Sequence, residues 1–378
     1  MLVVSIALLL ILVLLIVEAR AVNRSVESIR HRIHINGTRG KSTIATYIGA
    51  GLHEEGTHTM VKITGVIPTL IHNGCRNTIN RSGGARVQEQ FKIIRSAAKA
   101  QCRNLILECM SIDPGLQQIE SRFFRPQIYV ITNIRDDHRE VMGSTPDSQV
   151  RSICDAIPAH CTVITNQDNH LEEISAAAAE RNSRLVVADR VLPEGVEAQI
   201  PKGIFRENLA IALTACREVD IDPARAAERI LREINKTDPR LTLLDKERGI
   251  RVLNGFDVND TDSAQQFLDQ WLSEIEEISK VIVVFNTRAD RPYRTVLFAQ
   301  WLANIPDLAS VMISGNHRKR AGRALINAGL DRGKISEIRK KEIIQIKKSI
   351  LDNAGDHTLI LTIGNIAGDG FKILNEIT

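Results

Sequence analysis

From Leu2 to Val17 every position is apolar except Ser5, and the run stops abruptly at Glu18, after which Arg20, Arg24, Arg30 and Arg32 follow. This sixteen-residue run, fifteen of it apolar, falls short of the roughly 20 that a spanning helix prefers, so flanking residues or a thinner bilayer must help. The pattern predicts a membrane anchor over residues 1–19. Its rival is a cleaved signal peptide, with Ala19-Arg20-Ala21 as the cleavage site, but no basic segment precedes the apolar run. Arginines directly after an anchor keep that flank in the cytoplasm, so the expected location is the cell membrane, single-pass, with the remaining chain cytoplasmic.

Beyond residue 30 the pattern becomes a repeated rhythm: a β-branched run, a polar cluster containing Gly, Asn or Asp, then a helical stretch. Seven strand ends of this kind can be read: RIHI before NGTRGKS, NLILE before CMS, QIYVIT before NIRDDH, RVLNGF before DVND, KVIVVF before NTRADR, SVMIS before GNHRKR, and TLILTI before GNIAGDG. Continuous apolar strands alternating with helices predict an α/β protein whose parallel-rich sheets are covered on both faces. Ligands in such sheets bind beyond the carboxyl ends of the strands, which is where the polar clusters fall. A boundary is expected near Lys236-Thr237-Asp238-Pro239, giving one domain over 20–238 and a second over 239–378.

Composition narrows the classes. The 378 residues, 43% hydrophobic, suffice for two domains with real cores. A net charge of +4 from 49 basic and 45 acidic residues, without long basic blocks, argues against a nucleic-acid partner and leaves small anionic substrates open. The six cysteines include no C-x-x-C pair and read as reduced, mostly buried thiols.

The chemistry concentrates at the polar clusters. Gly37-Thr38-Arg39-Gly40-Lys41-Ser42-Thr43 ends in the G-K-[ST] of a phosphate loop, although Ile35 stands where the full motif has its first glycine. Backbone N–H groups and the following helix N-terminus would hold phosphate oxygens, Lys41 would neutralise the terminal phosphates, and Ser42 would offer its hydroxyl to Mg²⁺. Glu108, finishing the apolar strand NLILE, is placed as a metal ligand, or else as a solvated edge residue. The stretch Thr132-Asn133-Ile134-Arg135-Asp136-Asp137-His138 adds an amide, two acids and an imidazole beyond another strand. In the second domain Arg288, Asp290, Arg291 and Arg294 form a mixed cluster; its arginines fit bidentate binding of substrate carboxylates, or a solvated loop with internal ion pairs.

Together these segments resemble the Mur ligase superfamily of ATP-dependent amide-forming ligases. GTRGKST is similar to that family's GTNGKT/S loop, ECMS to its E-C-S segment, and TNIRDDHREVMG to its TN-x-x-x-DH-x-D-x-x-G motif. The resemblance implies a P-loop central domain with a parallel-rich sheet and a smaller Rossmann-like C-terminal α/β domain. It further implies ATP and Mg²⁺ as cofactors, with Lys41 and Ser42 on the phosphates and first Mg²⁺. Asn133 would help position these, and Glu108 and His138 would serve a second Mg²⁺. Phe205-Arg206-Glu207-Asn208 resembles the helix start whose asparagine reaches adenine, implying that role for Asn208. Pro239-Arg240 resembles the linker P-G-R, implying that Arg240 contacts ATP phosphates. Asp257 in NGFDVNDTDS resembles the aspartate that orients ATP, with Asn259 and Asp260 as alternatives.

Within the superfamily, N-G-x-R-G-K-S-T, E-C-M, D-H-x-x-V-M-G, N-G-F-x-x-N-D and N-x-R-A-D-R-x-x-R-T resemble the ligase subunits of poly-γ-glutamate synthases, which also begin with a membrane segment. That resemblance implies glutamate and a γ-glutamyl chain as substrates, an acyl-phosphate route releasing ADP and phosphate, and a multi-pass membrane subunit as partner; homo-oligomerisation stays open. Many cell-wall ligases carry a carbamylated lysine for the second metal, but this chain has no lysine between Lys99 and Lys202. Two other readings remain: a P-loop kinase or NTPase that forms no amide, and a nucleotide-gated scaffold of a membrane export complex.

Overall fold

The computed structural model describes the chain apart from residues 1, 66, 82, 136–138, 144, 167–168, 190, 202, 237–239, 274, 276, 290–291 and 378, and the side chain of residue 139. It divides into two compact units, 1–236 and 237–378.

Unit 1 runs α1 (Leu2–Ser28), β1 (His31–Asn36), α2 (Lys41–Gly51), β2 (Thr59–Ile63), β3 (Thr69–His72), β4 (Cys75–Thr78), α3 (Gln88–Lys99), β5 (Asn104–Glu108), α4 (Pro114–Phe124), β6 (Ile128–Ile131), α5 (Arg139–Met142), α6 (Pro146–Cys154), β7 (Thr162–Thr165), α7 (Leu171–Glu180), β8 (Arg184–Val187), α8 (Arg206–Arg217) and α9 (Pro223–Ile234). Its eight strands are ordered β4-β3-β2-β5-β1-β6-β7-β8, parallel from β2 to β8, with β3 and β4 added antiparallel at one edge.

Successive strand side chains point to opposite faces, and here both faces are dry. Ile106 and Val130 join the cluster under α2, α8 and α9, whereas Leu105 and Leu107 face α1, α3 and α4, and Tyr129 and Ile131 face α6 and α7. This is why the central strands read as unbroken apolar runs. Helix starts are set by local chemistry: Asp113 and Asp222 each stand before a proline and accept the backbone N–H of Leu116 and Arg225.

The predicted anchor ended at residue 19, but α1 continues to Ser28, and its two parts differ. Residues Leu2 to Val17 are exposed throughout, and the helix is long and apolar enough to cross a membrane. Val22 and Val26 are buried instead, packed with Ile29, Ile94, Ala97 and Phe124. Polar ties reinforce the docking: Arg95 pairs with Glu18 at 2.5 Å, and Arg32 donates to the carbonyls of Val26 and Ile29.

Unit 2 runs β9 (Leu241–Asp245), β10 (Ile250–Gly255), α10 (Thr261–Leu272), β11 (Lys280–Thr287), α11 (Pro292–Leu302), β12 (Leu308–Gly315), α12 (Arg318–Asn327), β13 (Ile335–Glu337), α13 (Ile346–Asn353), β14 (Thr358–Ile363) and α14 (Asp369–Ile377). The order is β13-β12-β11-β14-β10-β9, parallel except for β9. Val283, Phe285 and Leu361 fill one face, Val252, Val284 and Ile360 the other. The observed fold is thus the expected α/β class with two parallel-rich sheets. All seven strand ends read from the sequence are strands: β1, β5, β6, β10, β11, β12 and β14.

Candidate active site

Strand β1 lies between β5 and β6, so the chain leaving β1 emerges where the connections run to opposite sides, the crevice expected to take ligands in an open α/β sheet. In register, Ile35 stands beside Glu108 and Asn36 beside Ile131. The phosphate loop is therefore flanked by Glu108 on one side and by Thr132-Asn133 on the other.

The loop needs its glycines for contact as well as conformation. Gly37 has φ +121°, and a Cβ there would lie 2.2 Å from Thr132 Oγ1 and 2.9 Å from the carbonyl of Asn133. Gly40, the residue before α2, has φ +78° and its Cβ would meet Asn208 Oδ1 at 2.9 Å, so Asn208 at the start of α8 packs on the loop. Lys41 folds back across it, Nζ reaching the carbonyls of Gly37 at 2.6 Å and Thr38 at 3.2 Å. The loop is laced to the turn after β6: Thr38 N donates to Asn133 O at 2.8 Å, Arg39 N to Asn133 Oδ1 at 3.0 Å, and Asn133 Nδ2 to Arg39 O at 3.2 Å. Both ends of the Asn133 amide thus grip loop backbone, a shaping role that the motif did not reveal.

Glu108 is buried, at 4% exposure, and its carboxylate is aimed at the loop: Oε2 accepts from Ser42 Oγ at 2.9 Å and from Thr64 N at 2.7 Å. The solvated-edge reading of Glu108 does not hold. A hydroxyl and a carboxylate converging beside a phosphate cradle are hard oxygen donors of the kind Mg²⁺ prefers. Thr43 lies in the first turn of α2, behind the loop.

Behind Glu108 is a buried polar network. Glu120, in the middle of α4 and 1% exposed, accepts from Met110 N at 3.2 Å, Gln90 Nε2 at 3.1 Å and Ser111 Oγ, with His34 Nε2 at 3.7 Å. Gln90 Nε2 also donates to the Glu108 carbonyl at 3.1 Å. Burial opposes ionisation of Glu120, but these donors outweigh it and hold its carboxyl below the ordinary range. The Glu-Cys-Met-Ser turn is fixed by this carboxylate. Further along, fully buried Lys62 pairs with Glu89 at 2.8 Å, and Arg81 grips Glu89 at 2.7 and 2.9 Å. Burial would raise the Glu89 pKa, yet the two cations hold it at about 2. Sequence reasoning missed Glu120, Gln90, Lys62, Glu89 and Arg81; a buried lysine opposite two acids gives no short motif.

In unit 2, Arg240 and Asp257 form a bidentate pair, Nη2 to Oδ2 at 2.7 Å, with the guanidinium carbon 5.8 Å from the Phe267 ring centre. The three alternatives in NGFDVND separate. Asp257 meets Arg240, Asn259 Oδ1 accepts from Arg294 at 3.3 Å and Asn365 at 3.4 Å, and Asp260 caps α10 by accepting from Ser263 N at 2.9 Å. Arg288 lines a small crevice beyond β11 and β14 together with Arg294, Asn286 and Asn365. His138, Asp290 and Arg291 lie outside the described residues.

Comparison with known proteins adds the following. A family model described as Mur ligase middle domain matches residues 35–190, and one described as Poly-gamma-glutamate synthase CapB C-terminal domain matches 241–378. The chain is 26% identical over 383 residues to PGA synthase CapB of Bacillus subtilis (strain 168), covering 97% of this chain and 95% of the relative. It is 29% identical over 292 residues to Capsule biosynthesis protein CapB of Bacillus anthracis, covering 75% of this chain but only 62% of that longer relative. Among solved structures, E. coli FolC in complex with ADP is similar with a TM-score of 0.69 at 14% identity, over 95% of this chain and 92% of that one. Mycobacterium tuberculosis folylpolyglutamate synthase complexed with ADP gives 0.69 at 14%, over 95% and 94%. A bifunctional folylpolyglutamate synthase/dihydrofolate synthase with Mn, AMPPNP and L-glutamate bound gives 0.65 at 13%, over 94% and 93%. At these identities the likeness is one of fold.

Proposed function

This chain is a CapB-type member of the Mur ligase superfamily, and from that premise we propose that it is an ATP-dependent amide ligase that joins glutamate through γ-linkages, as the catalytic subunit of a membrane-bound poly-γ-glutamate synthase. The observation that carries the reading is the convergence of Lys41, Ser42 and Glu108 on one glycine-shaped loop at the carboxyl edge of the sheet. A loop of that shape suits a nucleotide triphosphate, and the names of the relatives supply the acid to be activated.

Amide formation from a free carboxylate needs a better leaving group than hydroxide. The γ-phosphoryl of ATP therefore passes to a glutamate γ-carboxylate, giving an acyl phosphate and ADP, and the amine of a second glutamate displaces phosphate. Ser42 and Glu108 would hold Mg²⁺, which would supply charge neutralisation on the phosphoryl oxygens. Lys41 and the loop N–H groups orient those oxygens and stabilise charge at the transferring group. Asn133 keeps the loop in shape, and Glu120, through Met110 and Ser111, keeps the Glu108 turn in place. His138 is proposed as ligand for a second Mg²⁺ from the sequence alone. Asn208 is proposed at the adenine end of the loop, Arg240 and Asp257 as nucleotide contacts of unit 2, and Arg288, Asp290 and Arg291 as carboxylate contacts of the amino substrate.

We place the exposed apolar part of α1 in the membrane, with both units cytoplasmic and a multi-pass subunit as partner. The test is incubation of the detergent-solubilised full chain with ATP, Mg²⁺, L- or D-glutamate and a short γ-glutamyl primer, reading nucleotide and peptide mass together. Glutamate-dependent ADP and a longer γ-linked chain, both lost in Lys41→Ala, are expected. AMP in place of ADP overturns the acyl-phosphate route, and a phosphorylated small molecule as end product overturns the ligase.

A further inference from the structure

At the opposite end of the unit 1 sheet from the phosphate loop, where β1, β6 and β7 begin, lies an open cavity of about 800 Å³ that the reaction does not use. Arg32, Arg122, Arg125, Arg181, Asp155 and His160 line it. Its charges do not balance. Arg181 is matched by Asp155 at 3.4 Å and Glu180 at 3.0 Å. Arg32 spends its donors on carbonyls alone, those of Arg125, Val26 and Ile29. Arg122 has no ion-pair partner among the described residues, and Arg125 has only the long contact to exposed Glu27 at 3.4 Å. Burial, and then the nearby charge of Arg125, lower the pKa of Arg32, and Glu27 offsets only part of this.

The cavity also has a defined relation to α1. Arg125 reaches Asn23 and Glu27, and Arg32 reaches Val26 and Ile29. At about 1.5 Å per residue, Asn23 lies about 9 Å and Glu27 about 15 Å along the helix from Val17, the last residue of the apolar run. The polar layer of one leaflet is roughly 5–8 Å deep, so the Arg125 guanidinium, where it meets Asn23, stands at its outer edge, within a Debye length of lipid phosphates, and the Glu27 level lies farther out.

We propose that this arginine cavity binds the phosphodiester headgroup of an anionic phospholipid such as phosphatidylglycerol, with Arg122 and Arg125 as its donors and the charge of Arg32 beside them. The inference rests on the reading of α1 as a membrane helix. Guanidinium forks match phosphate oxygens bidentately, and the tie through Arg32 and Arg125 to the last turns of α1 would couple headgroup capture to the pose of unit 1 at the bilayer.

The test uses the full chain in non-ionic detergent, titrated with water-soluble dihexanoyl phosphatidylglycerol, dihexanoyl phosphatidylcholine, inorganic phosphate and a short γ-glutamyl oligomer. Binding of the phosphatidylglycerol alone is expected, weakened about fivefold in Arg122→Gln and about 25-fold in Arg122→Gln/Arg125→Gln, at roughly one unit of surface attraction per arginine. Arg20→Gln, which removes the same charge from α1 outside the cavity, should leave it unchanged, and ATP turnover should persist in all three. Equal binding by inorganic phosphate overturns the proposal in favour of a free-anion site. Stronger binding by the γ-glutamyl oligomer overturns it in favour of a polymer track, and equal loss in Arg20→Gln in favour of diffuse charge. Retention of the full chain in phosphatidylcholine vesicles after alkaline washing is read separately: its failure removes the membrane helix, whereas failure of the lipid titration removes only the cavity.

Discussion

Gly37 shows most directly how one residue type decides a site. An added methyl group would collide with Thr132 Oγ1 and with backbone that cannot withdraw, at a φ that side chains avoid. Gly37→Ala is therefore expected to abolish nucleotide binding while leaving the cores intact, checked by ATP titration alongside thermal unfolding. Ser42→Ala should instead keep nucleotide binding and raise the Mg²⁺ needed for half-maximal ADP formation at least tenfold, since the variant loses one of two oxygens at the same point. Glu89 gives a pH test with a definite sign. Its pKa is about 2 in the folded chain against 4.5 ordinarily, so it favours the folded state fully above pH 4.5, and that support fades as pH falls from 4.5 toward 2. Water reaching the pair limits the loss to about 1–2 kcal/mol. Glu89→Gln should flatten this part of the stability–pH curve and destabilise at neutral pH by about 3 kcal/mol, because Lys62 stays buried without its anion.

Among the elements, α1 makes the sharpest prediction. Removing residues 2–17 strips only exposed positions of the apolar run, leaves the Glu18–Arg95 pair in place, and should leave the melting temperature of unit 1 unchanged. Removing residues 2–29 takes Val22, Val26 and Ile29 from a closed apolar cluster and should lower it by many degrees, as two calorimetric scans would show. The elements legible in the sequence share a physical cause. Strands β5, β6, β11 and β14 are buried on both faces, so their apolar runs are continuous. Strand β4, CRNT, is exposed at all four positions and β8 is exposed or half-exposed, so neither carries an apolar signature. The same contrast governs the site. Lys41 and Ser42 announce themselves because a phosphate loop is local in sequence, whereas Glu120 reads as an ordinary solvated helix residue and acquires its role from partners 9 to 86 positions away. Asn133 was identifiable as part of the site, but its grip on Arg39 depends on a turn 94 residues distant.

At the scale of the molecule, each unit owns its cores: one set of apolar clusters belongs to residues before 236 and another to residues after 240. Denaturation should accordingly show two separable transitions. Phe256→Ala, which empties a fully buried ring position in unit 2, should shift only the transition of that unit, by about 3–5 kcal/mol, readable by tryptophan fluorescence from Trp271 and Trp301. The thiols fit the same picture: five of the six cysteines are buried and unpaired, and only Cys75 is exposed. That asymmetry has a practical consequence. A maleimide dye added to the folded chain will settle on Cys75, at the β3–β4 edge and across the sheet from the arginine cavity, so the protein carries its own single reporter position for optical distance measurements without any engineered cysteine.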